Sequence, residues 1–303
     1  MVIKFLKKTL LMFSLIAIVV GVYVLIYKYQ ISKIKINKNI HILVCGDSHT
    51  QSAINDKVLN RSINVSQSSE PYLASYNVIR TLTNNNPQIK TIVLGYSFHS
   101  LSNFYDDVVY KEKYKVDFYA RYLPILDFES IKKISNHNFR GLIKSFPKSL
   151  NTWITLKNLP NINEIDYKNF IFFGNYYLSK TSDFNEKTIK SSIQRHYFEL
   201  NRLANFSIIQ EKYLEKIVKL CAKKNVKLYL INTPISNDYF KKIPKKFIIK
   251  YYNTIQEIGD KAILIDFHDL KLKNYCYGDG DHINAYGAKI LSLKLDSIYS
   301  KLN

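Results

Sequence analysis

Ile40-His41-Ile42-Leu43-Val44-Cys45-Gly46-Asp47-Ser48-His49-Thr50 is an apolar, β-branched run that stops at Gly-Asp-Ser. Such a run reads as a buried strand followed by a tight turn, which presents Ser48 at the strand's carboxyl end. Open α/β sheets place their sites there. A serine at that position needs a base, and the far end of the chain supplies one in Tyr277-Gly278-Asp279-Gly280-Asp281-His282-Ile283-Asn284. Asp279 and His282 are three residues apart, so one turn can hold an imidazole and the carboxylate that orients it. Ser48, Asp279 and His282 are therefore the candidate catalytic residues.

Gly-Asp-Ser after the first strand, with Asp-x-x-His before a last helix, resembles the SGNH/GDSL hydrolase superfamily from about Ile40 to the end of the chain. The resemblance implies a three-layer α/β/α sandwich on a parallel five-stranded sheet, flavodoxin-like in order, and a serine that attacks esters. It also implies an oxyanion site built from the backbone N–H of the nucleophile, a glycine after the second strand and an asparagine after the third. Here the sequence departs from the family. Gln67-Ser68-Ser69-Glu70-Pro71 puts Ser69 where the family has glycine, and Gly95-Tyr96-Ser97-Phe98-His99-Ser100 replaces the Gly-x-Asn-Asp block. Ser69 can offer its backbone N–H if it adopts the turn, at a greater cost than glycine. Ser97 or His99 could donate in place of the asparagine, or serve only as loop-capping polar residues.

Strands alternate with helices over much of the chain. Ser62 to Ser66 reads as a second strand, and Pro71 to Thr83 as a helix with proline in its first turn and a serine available to cap it. Asn84 to Pro87 breaks that helix, and Lys90 to Gly95 is a third strand, buried by its continuous apolar run. Ser207 to Lys223 carries Ile209, Tyr213, Ile217 and Leu220 at helical spacing, followed by a strand over Val226 to Ile231. A helix near Phe247 to Ile258, a fifth strand over Ala262 to Asp266 and a closing helix entered through His282 to Leu291 complete the pattern. The alternation predicts a parallel sheet covered on both faces.

It is lost between Ser100 and about Phe206, a stretch rich in Tyr, Phe and Asn that contains Trp153 and turn signals at Pro124, Pro147, Pro160 and Gly174. This is too long for a loop, and reads as a mostly helical insertion beside the active-site edge. Its aromatics either fill a core or stack on sugar rings.

Thr9 to Tyr27 carries no charge and is long enough to span a bilayer as a helix. Lys28-Tyr29-Gln30 follows it instead of a small-residue cleavage site, so residues 1–30 read as an uncleaved anchor, 31–39 as a linker and 40–303 as the SGNH-like domain with its insertion at about 100–206. Lys4, Lys7 and Lys8 before the span are matched by Lys28, Lys33 and Lys35 after it, so charge gives little orientation. Placing the domain outside the cytoplasm follows from the resemblance to membrane-anchored members of the superfamily.

The net charge of +20 comes mostly from scattered lysines. No stripe with interleaved stacking aromatics accompanies them, so no nucleic-acid partner is expected. Cys45, Cys221 and Cys276 form no disulfide framework and no metal-ligand spacing, so neither metal nor cofactor is expected. Asp47 reads as securing the turn, His49 as capping a helix start and Asp281 as facing solvent. His41, His137, His196 and His268 share no spacing and are assigned no chemistry.

The expected function is a membrane-anchored serine esterase or O-acyltransferase working through an acyl-Ser48 intermediate. The resemblance implies an acylated, specifically O-acetylated, cell-surface polysaccharide as substrate, and other envelope polysaccharide-synthesis proteins as partners. The alternative is a non-catalytic SGNH-like protein that binds glycan or scaffolds such a complex.

Overall fold

The five expected strands pair into one sheet in the computed structural model, which describes residues 2–110, 112–157 and 172–302. The strands are β1 (Ile42–Cys45), β2 (Ser62–Asn64), β3 (Thr91–Gly95), β4 (Lys227–Asn232) and β5 (Ile263–Asp266). All pairings are parallel, in the spatial order β2-β1-β3-β4-β5. Strand β1 thus has β2 on one side and β3 on the other. The order reverses there, which makes the carboxyl ends of β1 and β3 the switch point of the sheet.

Apart from a single turn at Asn237–Phe240, the α-helices in chain order are α1 (Val2–Ser32), α2 (Ser48–Ala53), α3 (Tyr72–Asn85), α4 (Phe104–Tyr110), α5 (Glu112–Tyr122), α6 (Phe128–Lys157), α7 (Glu186–Tyr197), α8 (Ile208–Lys223), α9 (Lys245–Ile258) and α10 (Ala285–Leu302). Strand side chains alternate between faces. Leu43, Cys45, Ile92, Leu94, Leu228 and Leu230 meet Val78 of α3, Ile217 of α8 and Phe247 of α9 in one core. Ile42, Val44, Val93, Tyr229 and Ile231 meet Leu291, Leu295 and Tyr299 of α10 in the other. The result is an α/β domain with helices on both faces of a five-stranded parallel sheet. All three cysteines are free and buried.

Two local expectations are corrected. Pro71 is the N-cap of α3, and no side chain caps that helix. Pro147 lies inside α6 instead of at a turn, and the bend in that helix is at Asn138 (φ −153°, ψ 65°), whose side chain accepts from Gly141 N–H at 3.0 Å. Pro124 does sit in a turn, between α5 and α6, whereas Pro160 lies outside the described residues, as does the side chain of Trp153.

The insertion is mostly helical where described, with α4 to α7 and a two-residue hairpin joining Phe198–Glu199 to Arg202–Leu203. Tyr105, Phe118, Tyr119, Tyr122, Phe172, Phe173 and Tyr197 are buried in the core, whereas Phe128 and Phe139 are exposed. Tyr177 is 61 % exposed, and its N–H donates to Gln51 of α2 at 2.9 Å.

Helix α1 is 31 residues long and exposes Leu10, Leu11, Phe13, Leu15 and Leu25 among other apolar side chains. The side chains at 16, 17, 20, 23, 27, 28 and 30 lie outside the description. Among the described residues no helix is long and apolar enough to cross a membrane. The expected anchor accordingly gains no structural support as a membrane span and stands on the sequence.

Candidate active site

The nucleophile's turn is made by backbone that few residues tolerate. Gly46 has φ 138°, and a Cβ there would come within 2.6 Å of Thr50 Oγ1 and 3.0 Å of Gly95 N. Only glycine lets β1 and β3 approach this closely while the chain turns. Asp47 follows in extended conformation as the N-cap of α2, accepting from His49 N–H at 2.9 Å. Securing the turn is thus Asp47's part, and His49 caps nothing. Ser48 is the first helical residue, and Asn64 of β2 ties down the other end of α2 by donating to Thr50 O at 2.9 Å and Ile54 O at 2.7 Å.

Asp279 organises the second loop. Its Oδ1 accepts from the N–H groups of Asp281 (3.0 Å) and His282 (2.9 Å), while Gly278 N–H donates to His282 O at 2.8 Å. This folds the imidazole back over the carboxylate. His282 Nδ1 lies 2.9 Å from Asp279 Oδ1 and 3.1 Å from Oδ2, and its Nε2 lies 2.8 Å from Ser48 Oγ. The structure therefore brings together Ser48, His282 and Asp279, which are 234 residues apart at the widest, in one hydrogen-bonded chain. All three are partly exposed.

Behind them lies a buried layer that the sequence reading missed. Asp281 is fully buried, not solvent-facing. Its Oδ1 accepts from Ser192 Oγ at 2.5 Å and lies 3.4 Å from His282 Nδ1. Its Oδ2 lies 3.2 Å from His49 Nε2, 3.4 Å from His196 Nδ1 and 3.5 Å from an Arg195 guanidinium nitrogen. His49 and His196, read as capping and inert, are both buried here. Helix α7 of the insertion brings Ser192, Arg195 and His196, and it starts on a capping box between Asn185 and Thr188. Gly280 lets it pack there, since a Cβ at that position would come within 2.5 Å of Ile189 N.

Burial favours neutral forms, and charges outvote it only where they are close. Burial would raise the Asp281 carboxyl, but the charge and close approach of His282, with His49 and His196 beside it, hold it well below the usual range. Burial likewise works against Asp279, which the His282 bond keeps low. Burial would lower His282, yet Asp281 and then Asp279 push it up to about 10. His99 and His196 are pushed down, chiefly by burial.

The three candidate oxyanion residues fare differently. Ser69 adopts the left-handed conformation, φ 57°, so the turn that glycine would make is made by serine. Left-handed backbone costs a non-glycine residue about 1–2 kcal/mol. Ser69→Gly is accordingly expected to preserve activity and to raise stability by up to about 1 kcal/mol, the gain reduced by glycine's freer unfolded chain; denaturant unfolding checks it. Ser97 directs its N–H to Ser100 Oγ at 2.8 Å. His99 turns inward, its Nε2 3.1 Å from Asp47 Oδ2, which also accepts from the Tyr105 hydroxyl. Neither is placed as the missing asparagine.

His49, His99 and His196 have donor nitrogens within 4.8 Å of one another. The His99 and His196 rings, however, are stacked at 4.2 Å and 9°. Their in-plane lone pairs run side by side instead of converging, and Arg195 Nε donates to His196 Nε2 at 3.3 Å. Zinc needs lone pairs converging tetrahedrally, so this set is not arranged as a metal centre. The remaining histidines are engaged elsewhere: His41 with Gln88 O, His137 with Lys133 O and His268 with Asp266. Comparison of the chain with protein-family models finds no match, and comparison with the curated proteins finds none.

Proposed function

We propose that the domain is an SGNH-like serine esterase or O-acyltransferase, tethered to a membrane by α1 and acting outside the cytoplasm on the O-acyl groups of a cell-envelope polysaccharide. The observation that carries the reading is the Ser48–His282–Asp279 chain, with contacts of 2.8 and 2.9 Å. Serine is a weak nucleophile until a base within hydrogen-bond reach takes its proton. His282 Nε2 takes that proton as Ser48 Oγ attacks the acyl carbonyl, and Asp279 holds the proton on Nδ1. On this reading the backbone N–H groups of Ser48 and Ser69 serve as the oxyanion donors, each such donor being worth about 3 kcal/mol. His282 returns the proton to the departing alcohol, leaving acyl-Ser48. Water then gives the free acid, or a glycan hydroxyl the transferred ester.

Exposed Tyr177, beside α2, offers a face for a sugar ring. The charge-free stretch of residues 9–27 and the exposed apolar side chains of α1 support the tether. Full-length protein should turn over p-nitrophenyl acetate with an initial burst equal to the protein concentration; folded protein without turnover or burst would refute the reading. A second reading, a non-catalytic glycan-binding scaffold, is favoured by one observation: neither Ser97 nor His99 is placed as the family's third donor.

A further inference from the structure

Asp281 occupies a position that the triad does not require. It is fully buried, and it approaches the nitrogen of His282 that Asp279 already holds. The Asp279 side chain is 40 % exposed, so water screens it, whereas nothing screens Asp281 except the groups packed on it. A second carboxylate at 3.4 Å favours the imidazolium, and an imidazolium cannot accept the serine proton. Asp281 pulls His282 toward that idle form, and in its full surroundings the imidazole is pushed up to about 10.

Asp281 does not act alone. Helix α7 of the insertion sets Ser192 Oγ on its Oδ1 and Arg195 on its Oδ2, and α2 brings His49 to the same oxygen. We propose that Asp281 and Arg195 are an opposed pair of positioning residues that sets how tightly His282 holds its proton, with Asp281 raising its basicity and Arg195 drawing off part of that charge. The insertion would thereby tune the base from behind. The inference rests on reading His282 as the base for Ser48.

The other titratable groups around the pair are few. His282 is faced by Asp279 from its own loop and by His49 from α2, with ring centroids 4.5 Å apart. Asp281 is faced by His49 and by His196, whose Nδ1 also lies 3.0 Å from Tyr239 Oη. Beyond these stand His99, stacked on His196, and the Asp47 carboxylate, which accepts from the Tyr105 hydroxyl and lies 3.1 Å from His99 Nε2. Arg195, with its side chain 46 % exposed, is thus the charge that can be changed with least repacking.

The test is the pH midpoint of His282 in full-length, isotopically histidine-labelled protein in detergent, read by NMR, together with kcat/KM for p-nitrophenyl acetate against pH. Asp281→Asn keeps the shape and is expected to move the midpoint and the rising limb of kcat/KM down by about one pH unit or more. Arg195→Gln is expected to move both up, by a few tenths of a unit since the guanidinium is half in water. Opposite shifts bear the proposal out. Unmoved midpoints, or shifts of the same sign, overturn it, however far the plateau rate falls, because a merely structural role lowers rates without displacing the limb. If Asp281→Asn does not fold, the sign of the Arg195→Gln shift decides. Absent turnover in the wild type would sink the esterase reading alone, since the NMR midpoints need no catalysis.

Discussion

Replacement of His282 by alanine is expected to lower kcat/KM for a p-nitrophenyl ester by about 10⁴-fold or more, and adding Ser48→Ala should then cost almost nothing further. The reason is the shared proton. Ser48 Oγ and His282 Nε2, 2.8 Å apart, act only as a unit, so the loss of either removes the same step. Asp279→Asn should be costly through a different route. The carboxylate that accepts Nδ1–H becomes an amide that can donate, so the imidazole presents the wrong tautomer to Ser48 while the loop keeps its geometry. Its backbone acceptor, Oδ1, survives in asparagine, and thermal unfolding should show the variant folded. Losses that multiply in the His282/Ser48 double variant would contradict this account, since they would mean two independent contributions.

Substitution of Glu70 by glutamine should change stability most at alkaline pH. Glu70, beside the left-handed Ser69, is 3 % exposed, and its oxygens meet Ser75 Oγ and Tyr122 Oη at 2.7 Å each. Burial pushes its carboxyl up from 4.5 to about 8, the hydroxyl partners offsetting only part. Between those values the folded protein keeps a proton that the unfolded chain has lost. Stability from this group is therefore fully present below about pH 4.5 and falls as pH rises through 8, by on the order of 5 kcal/mol if the whole shift is realised. Glu70→Gln stays neutral at all pH. Its unfolding free energy should lack that decline and exceed the wild type's at pH 9, and parallel curves from pH 5 to 9 would contradict the assignment. Since Ser69 is the next residue, ionisation of Glu70 should also loosen the oxyanion loop.

Much of the sheet and the front of the site was legible because both rest on short-range signals. A strand that is buried on both faces is written as a continuous apolar run, as in β1, β3 and most of β4, while β2 and β5 are placed by their position in the alternation with helices. Ser48 lies directly after β1, and Asp279 and His282 share one turn, so three residues of the site needed only two local readings. The buried layer left no such trace. His49, His99, His196 and Asp281 come from α2, the loop after β3, α7 and the last loop, and only tertiary packing puts them together. Asp281 looked solvent-facing because its neighbours in sequence are polar and glycine-rich; the helix that covers it comes 89 residues earlier. Pro147 misled for a related reason, since packing can hold a helix through a proline that local propensity would stop. Ser69 does adopt the left-handed turn, but its positive φ is fixed by the loop around it, not by serine.

The most direct test of the account is the intact mass of the full-length protein after exposure to a serine-reactive fluorophosphonate, beside Ser48→Ala and His282→Ala. The account predicts one adduct on the wild type, lost in both variants, with the modified peptide containing Ser48. A wild-type protein that is folded and unmodified, or an adduct that survives Ser48→Ala, would contradict it.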